Sequence, residues 1–367
     1  MDFKKLFEKE VKPNDVAVIE FLKNSGLPVV IYGVSPDVAD QIVQKLRHNH
    51  ITISFVAYDE DCPLMTDLTV LLKDMETVHV NDLDTKLPAY NVIPGFVKGY
   101  QTIDVIYSKF KNAKSVTYLS EIFDLELITP SFIDANGAFL EDFYQNLQDQ
   151  KSKDSFVAYL LSKVRQDMKY LPPVFEKVQY FPQGIFKLTD HESYFDCGAF
   201  TGDTIASFLK VTGGLYRYIW AAEPDKSNYN RLIHYIKEEK LENIDAVNKG
   251  IYSCAGILPF HETGSMLSMI TDDSENHIEV DTIDHITAGY PVTYIKMDVE
   301  GVEPEALKGA EQTLRKHKPV LGISIYHKPQ DLIDIPKYIK EIVPEYKFYF
   351  RVHKKLAIDT VLYAVVE

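Results

Sequence analysis

The sequence predicts an α/β protein built on two parallel sheets, a small one in front and a larger one behind, with a helical connector between them. Three observations carry that expectation. From residue 192 onward, apolar runs of strand length alternate with segments of helical period. A weaker β-α-β alternation occupies 1–125, and the stretch from about 130 to 172 shows helical period alone. With 367 residues, 46% hydrophobic and 25% charged, the chain has the length and apolar content for two domains with their own cores. The expected boundaries are 1–125, 126–175 and 176–367.

The front elements follow in order. "DVAVIEFLKNSG" (15–26) reads as a helix closed by glycine, and "LPVVIYGVS" (27–35) as a buried strand. "PDVADQIVQKLRHN" carries apolar residues at helical spacing, and "ITISFVAYDED" is a second strand. "YNVIPGF" and "KSVTYLSEI" read as further strands, with "YQTIDVIYSKFKNA" helical between them. The connector comprises "SFIDANGAFLEDFYQNLQDQ" and "KDSFVAYLLSKVRQDMKY", interrupted by "LPP" at 171–173, where proline cannot continue a helix.

The rear elements are more regular. "SYFDCG" is a strand and "DTIASFLKV" a helix stopped by Gly213 and Gly214. "YRYIWAAEP" and "IDAVNKGIY" are strands around the helix "KSNYNRLIHYIKEEK". "VTYIKMDVEG" leads into the helix "EPEALKGAEQTLRKH", and "PVLGISIYH" into "DLIDIPKYIKEIV". "YKFYFRVHK" and "DTVLYAVV" close the chain with only a short loop between them, so they should run antiparallel. The other strands, separated by helices, imply a parallel sheet with right-handed crossovers and both faces covered. "FHETGSMLSMITDDSENHIEV" (260–280) reads as a loop or hairpin inserted before the fourth strand.

The formal net charge of −15 argues against partners held by phosphate neutralisation, so neither nucleic acid nor an anionic membrane surface is expected. Cys62, Cys197 and Cys254 are odd in number and widely spaced, which gives no disulfide framework or zinc-ligand pair and suits a reducing cytoplasm. The charged, amphipathic start lacks the apolar run of a signal peptide. No stretch reaches the ~18 apolar residues of a membrane span.

The loop in "FDCGAFTGDT" (195–204) joins a strand to a helix, at the edge where open parallel sheets bind ligands. It reads G-x-x-x-G, through Gly198, Ala199, Phe200 and Gly202. Phe200 stands where a dinucleotide fingerprint would have its second glycine, and that ring obstructs a pyrophosphate. Asp196 and Asp203 flank the turn and would repel phosphates. Glu223, followed by Pro224 at the end of the next strand, lies at the distance typical of a carboxylate that holds a ribose. A nucleoside ligand carrying positive charge and no phosphate meets every one of these features. S-Adenosylmethionine is such a molecule, with Asp196 expected near its ammonium group. Asp203 and Thr204 have a second reading as caps of the following helix. Asn248 to Ile251, including Gly250, follow the third strand where adenine is usually met.

"FDCGAFTGDT", "AAEPD", "VDTIDHI" and "YIKMDVEGVEPEALKGA", in this order and spacing, resemble a methyltransferase of the FkbM family over about 176–367. The resemblance implies a class I, Rossmann-like, seven-stranded sheet with its last strand antiparallel. It also implies S-adenosylmethionine as donor and a hydroxyl acceptor on a sugar or related metabolite. The closing strand pair fits that topology from the residues alone.

Chemistry is expected where "YIKMDVEGVE" (294–303) ends the fourth strand. Methyl transfer to oxygen needs in-line orientation and removal of a proton. Asp298 is the first candidate for the base, Glu300 the second. His327, at the end of the fifth strand, is the third, with an ordinary pKa suited to proton transfer near neutrality. Lys296 shares a strand face with Asp298 and is either catalytic or an internal partner of Asp298 or Glu300. Glu303 fits the first turn of its helix. Ser265 and Ser268 in the inserted segment are candidate acceptor contacts. No obligatory metal is expected, because His327-Lys328-Pro329 replaces the acidic pair that magnesium would favour.

Two other readings stand beside this one: a catalytically silent scaffold in a glycan-synthesis complex, and, disfavoured by Phe200 and the flanking acids, an NAD-dependent dehydrogenase. The front domain has only Gly33 where a nucleotide loop would be glycine-rich, which points to a structural role or to holding the carrier of a nucleotide-linked sugar. A homo-oligomer stays open.

Overall fold

The computed structural model describes residues 15–33, 36–60, 62, 75–95, 108–117, 119, 128–165, 170–262, 268–270, 274–353 and 359–366. The chain divides into two compact units. The first comprises Met1–Gln145, Gln150–Lys177 and Arg351–Asp359; the second comprises Asn146–Asp149, Val178–Phe350 and Thr360–Glu367. The helices at 130–165 thus count almost wholly with the first unit instead of standing as a third body.

In the first unit, α1 (Asp15–Ser25), β1 (Val29–Tyr32), α2 (Pro36–His48) and β2 (Ile53–Tyr58) follow the apolar periodicity. Val18, Ile19 and Leu22 of α1 pack with Val29 and Ile31 of β1 and with Ile42, Val43 and Leu46 of α2 in one apolar cluster. Two short elements escape the sequence reading: β3 (Thr77–His79) and α3 (Val80–Lys86). Three strand residues are too few to display a period of two. β4 (Tyr90–Pro94) and β5 (Ala113–Val116) complete a sheet ordered β3-β2-β1-β4-β5, in which each pairing is parallel. The helix expected at "YQTIDVIYSKFKNA" falls largely on 101–107, outside the described residues. The connector forms α4 (Pro130–Asn146) and α5 (Gln150–Arg165), and Pro172–Val174 is a 3-10 turn.

The second unit begins its alternation with β6 (Ser193–Cys197), α6 (Asp203–Thr212), β7 (Tyr218–Ala222), α7 (Lys226–Glu238) and β8 (Ile244–Val247). The expected single strand "IDAVNKGIY" breaks here. Asn248 turns the chain, its amide donating to the carbonyls of Glu223 and Pro224 at 2.9 Å each. β9 (Gly250–Ile251) then joins a separate small sheet with β10 (Gly256–His261), β11 (Met269–Ile270) and β12 (His277–Asp281), ordered β11-β10-β12-β9. The inserted segment is therefore a hairpin arm of this sheet, β10 and β12 running antiparallel.

α8 (Ile283–Thr287) precedes β13 (Tyr294–Met297). The helix expected over 303–317 forms in two pieces, α9 (Glu303–Lys308) and α10 (Glu311–His317). The break falls at Gly309, whose carbonyl turns aside to accept the Asp284 amide. β14 (Val320–Ser324), α11 (Asp331–Ile342), β15 (Lys347–Val352) and β16 (Thr360–Val365) complete the unit.

The main sheet has seven strands ordered β15-β16-β14-β13-β6-β7-β8. β6, β7, β8, β13 and β14 pair in parallel, and β16 runs antiparallel to β14. β6, β13 and β16 are buried at every position, as a sheet covered on both faces requires. Strand order reverses between β6 and β13. The crevice at their carboxyl ends is the topological switch point, where such sheets take their ligands.

Candidate active site

The turn after β6 is held from below. Lys296 of β13 lies opposite Asp196 of β6 in the strand register. Its ammonium sits 3.1 Å from Asp196 Oδ1 and donates to the carbonyls of Cys197 and Gly198 at 3.2 and 2.6 Å. Both side chains are almost completely buried, at 2% and 0% exposure. Burial raises the Asp196 carboxyl to about 6, and attraction to Lys296 keeps it from rising further. Burial by itself would lower Lys296, yet Asp196 and Asp298 raise it. Lys296 is therefore a cation that clamps the turn, and its partner is Asp196, not Asp298 or Glu300. Asp196 does not rim the crevice as its sequence position suggested. Its carboxylate is fully buried, 3.1 Å from the Lys296 ammonium.

Above this pair the backbone comes very close to the fourth strand. Gly198 has φ +77°, and a Cβ there would lie 2.0 Å from the Asp298 carbonyl oxygen, so no other residue fits. The amides of Gly198 and Ala199 both donate to the Ala222 carbonyl at 3.0 Å, and that of Gly202 to Ala199 at 2.9 Å. The Phe200 amide donates to Glu223 Oε2 at 2.9 Å, from a left-handed backbone with φ +49°. Its ring lies 5.5 Å from the Arg231 guanidinium. Gly202 is the N-cap of α6 in a left-handed conformation, Asp203 is exposed in the first turn, and Thr204 is buried.

Glu223 directly follows β7 and is 5% exposed. Its second oxygen accepts the Asp225 amide at 3.0 Å. Burial is the main influence on this carboxyl and raises it to about 7; the two amides and Lys296 oppose the rise. Pro224 is half-buried and Asn248 exposed, while Gly250 packs beneath Ile278 and Val280. Ser268 donates to Asp225 Oδ2 at 2.7 Å, and Asp225 in turn caps α7. Ser268 thereby anchors the inserted arm. Ser265 lies outside the described residues.

Beyond β13 and β14 the acids and the imidazole converge. Asp298 Oδ2 accepts from the Tyr180 hydroxyl at 2.9 Å and Oδ1 from Tyr326 at 3.3 Å. His327 Nε2 stands 3.5 Å from Glu300 and 3.7 Å from Asp298, and Nδ1 stands 3.1 Å from Glu303. Burial alone would raise Asp298, but the charges of Lys296 and His327 outweigh it and hold the carboxyl below its ordinary value. Glu300 is raised, first by burial and then by Asp298 and Glu303, against the pull of His327. Burial depresses His327, yet Glu303 and Glu300 outweigh that and lift it well above 6.5. The expectation of an ordinary imidazole is thus corrected, because three carboxylates surround the ring.

Residues 196–348 match the family model of the methyltransferase FkbM domain. Over this segment the chain is similar to FkbM methyltransferases. A crystal structure of methyltransferase FkbM from Methylobacillus flagellatus KT matches 99% of this chain and 97% of that chain, with a TM-score of 0.70 and 22% identity. That likeness extends the shared fold across both units. An rRNA methylase from Streptococcus thermophilus matches 49% of this chain and 90% of its own at TM-score 0.33 and 11% identity. M. jannaschii TYW2 in complex with AdoMet matches 48% and 68% at TM-score 0.29 and 18% identity. A comparison with curated proteins finds no match.

Within the matched segment, the structure brings together Gly198, Ala199, Phe200 and Glu223 around one turn, and Asp298, Glu300 and His327 around another. Sequence reasoning missed Tyr180 and Tyr326, which hold Asp298, and undervalued Glu303. Glu303 does open α9 as expected, but it is fully buried and accepts the amides of Val299 and Gly301 at 2.9 and 3.1 Å. One signal was available: "DVEGVE" places a glycine after Glu300, and Glu300 has φ +57°. A left-handed non-glycine residue needs surrounding structure to hold it.

Proposed function

We propose that the matched segment transfers the methyl group of S-adenosylmethionine to a hydroxyl oxygen of a carbohydrate or a related small metabolite. The observation that carries the donor assignment is the hydrogen bonding of the turn. The amides of residues 198, 199, 200 and 202 are already committed, three to carbonyls and one to Glu223. Such a turn offers those donors to no pyrophosphate, whereas a dinucleotide loop works by presenting them. What it holds at the strand end instead is a carboxylate fixed by two amides, with lone pairs left for ribose hydroxyls. The anionic character of the crevice rests on Glu223, Asp203, Asp298 and Glu300, since Asp196 is neutralised internally.

In the reaction, a lone pair of the acceptor oxygen forms a bond to the methyl carbon as the carbon–sulfur bond breaks. S-Adenosylhomocysteine leaves, and the hydroxyl proton passes to a nearby base. Asp298 and Glu300, half-buried beyond β13, are the carboxylates placed to orient the acceptor and receive that proton. Tyr180 and Tyr326 hold Asp298 in place for this work. The free cysteines suit the cytoplasm, where activated sugars are made. Among the described residues no helix is long and apolar enough to cross a membrane.

Calorimetry on the full chain tests the donor. S-Adenosylmethionine and S-adenosylhomocysteine should bind and NAD should not; NAD binding with both others silent defeats the assignment. Transfer of labelled methyl across a panel of sugar hydroxyls then tests the acceptor class.

A further inference from the structure

The cluster beyond β13 and β14 holds more negative charge than its one imidazole balances. Asp298, Glu300 and Glu303 all face His327, and Asp331 feels both Glu303 and His327. Among the described residues the nearby lysines make their contacts elsewhere: Lys296 with Asp196 and two carbonyls, its charge reaching Asp298 only from a distance, and the Lys328 ammonium with the Gly301 carbonyl at 2.7 Å. One ligand atom from each of Asp298, Glu300 and His327 lies within 4.8 Å of the other two. The His327 side chain is nine-tenths buried, and neither ring nitrogen has a well-aligned hydrogen bond. Its Nδ1 faces Glu303, and its Nε2 faces the Asp298–Glu300 pair. A carboxylate behind the ring and two more in front is the arrangement that orients a histidine toward a metal.

We propose that Asp298, Glu300 and His327 form a site for a divalent first-row cation, with Glu303 orienting the imidazole from behind. This goes beyond the methyl-transfer reading, which needs no metal. The donor set selects the ion. Two carboxylates and one imidazole suit Mn²⁺ or Zn²⁺ better than Mg²⁺, which prefers oxygen alone. The replacement of an acidic pair by His327-Lys328-Pro329 therefore changes the preferred metal instead of removing it. If the methyl-transfer reading holds as well, a cation held by Asp298, Glu300 and His327 would supply Lewis-acid activation of the acceptor hydroxyl.

The test is titration of Mn²⁺, followed by the spin signal of the free ion, and of Zn²⁺ by calorimetry, into the metal-stripped full chain without donor or acceptor. One saturable site is expected. His327→Gln and Glu300→Gln should each weaken it about 10-fold or more, while Glu279→Gln, an exposed acid on β12, leaves it unchanged. Absence of saturable binding of both ions, or affinity unaltered in both site variants, overturns the proposal. S-Adenosylmethionine binding measured on the same samples separates this outcome from failure of the methyl-transfer reading, because either result can occur without the other.

Discussion

The two sheets of this protein make the same turn and surround it differently. In the first unit, β1 ends at Gly33, with φ +67°, whose amide donates to Ala57 of β2 at 3.0 Å. In the second, β6 ends at Gly198, with φ +77°, whose amide donates to Ala222 of β7 at 3.0 Å. An acid stands just past the neighbouring strand in each: Asp59 after β2 and Glu223 after β7. Their surroundings differ. Asp59 forms an ion pair with Lys109 and accepts from the Tyr32 hydroxyl and the Cys62 amide. Burial would raise Asp59, but these partners more than offset it and the carboxyl falls below its ordinary value. Among the described residues Glu223 makes no ion pair; two amides hold it, Lys296 acts on it only from a distance, and it rises to about 7. A shared backbone device thus says little about binding; the partners of the acid beside it decide.

The largest effect that would test this contrast concerns the pair beneath the second turn. Asp196→Ala leaves Lys296 buried without its counter-charge, and breaking such a pair costs about 3–5 kcal/mol. Denaturant unfolding followed by Trp220, which is buried on β7, should show that loss. If Asp196 touched the donor instead, the variant would keep its stability and lose only ligand affinity. That pattern would return Asp196 to the crevice.

Glu223 gives a smaller effect with a characteristic pH dependence. Its folded value of about 7 lies above the ordinary 4.5, so the folded chain binds a proton there that the unfolded chain has released. This stabilisation is complete below about pH 4.5 and is lost as pH rises to about 7, by up to ~3 kcal/mol. Glu223→Gln should remove that slope, read as the difference in unfolding free energy between about pH 5 and about pH 8. The same variant should weaken S-adenosylmethionine binding by ~1.5–3 kcal/mol, the range for hydrogen bonds to a charged group. For the wild type, ligand affinity should rise through about pH 7, as ionised Glu223 becomes the better acceptor. A flat affinity profile would place the ribose elsewhere.

How much of this could be read from residues alone follows from the range of each interaction. β6, β7, β13 and β14 are apolar runs whose burial is local in origin, and the glycine turn announces itself through Gly198 and Gly202. The Asp196–Lys296 pair was invisible because it depends on the register of two strands far apart in the chain. Tyr180 lies in a segment without periodicity, so nothing linked it to Asp298. His327 was recognised as a candidate but misjudged in its charge, since the acids that control it come from the ends of β13 and α9. The break of "IDAVNKGIY" into β8 and β9 was hidden for a similar reason: Asn248 takes its partners from the neighbouring strand end.

The smallest effect returns to the first unit and sharpens the comparison from the other side. Asp59→Asn keeps an oxygen for the Cys62 amide and the Tyr32 hydroxyl and removes only the charge that Lys109 meets. Lys109 is 14% exposed, so its ammonium can reach water, and the change should cost about 1–2 kcal/mol, less than the loss from Asp196→Ala. S-Adenosylmethionine affinity should not change, because Asp59 serves its own turn as a structural anion. Loss of donor binding in Asp59→Asn, with Glu223→Gln silent, would exchange the roles of the two turns. The acid closed off by a lysine would then be the ligand-bearing one, and the charge environment would have failed as a guide to function.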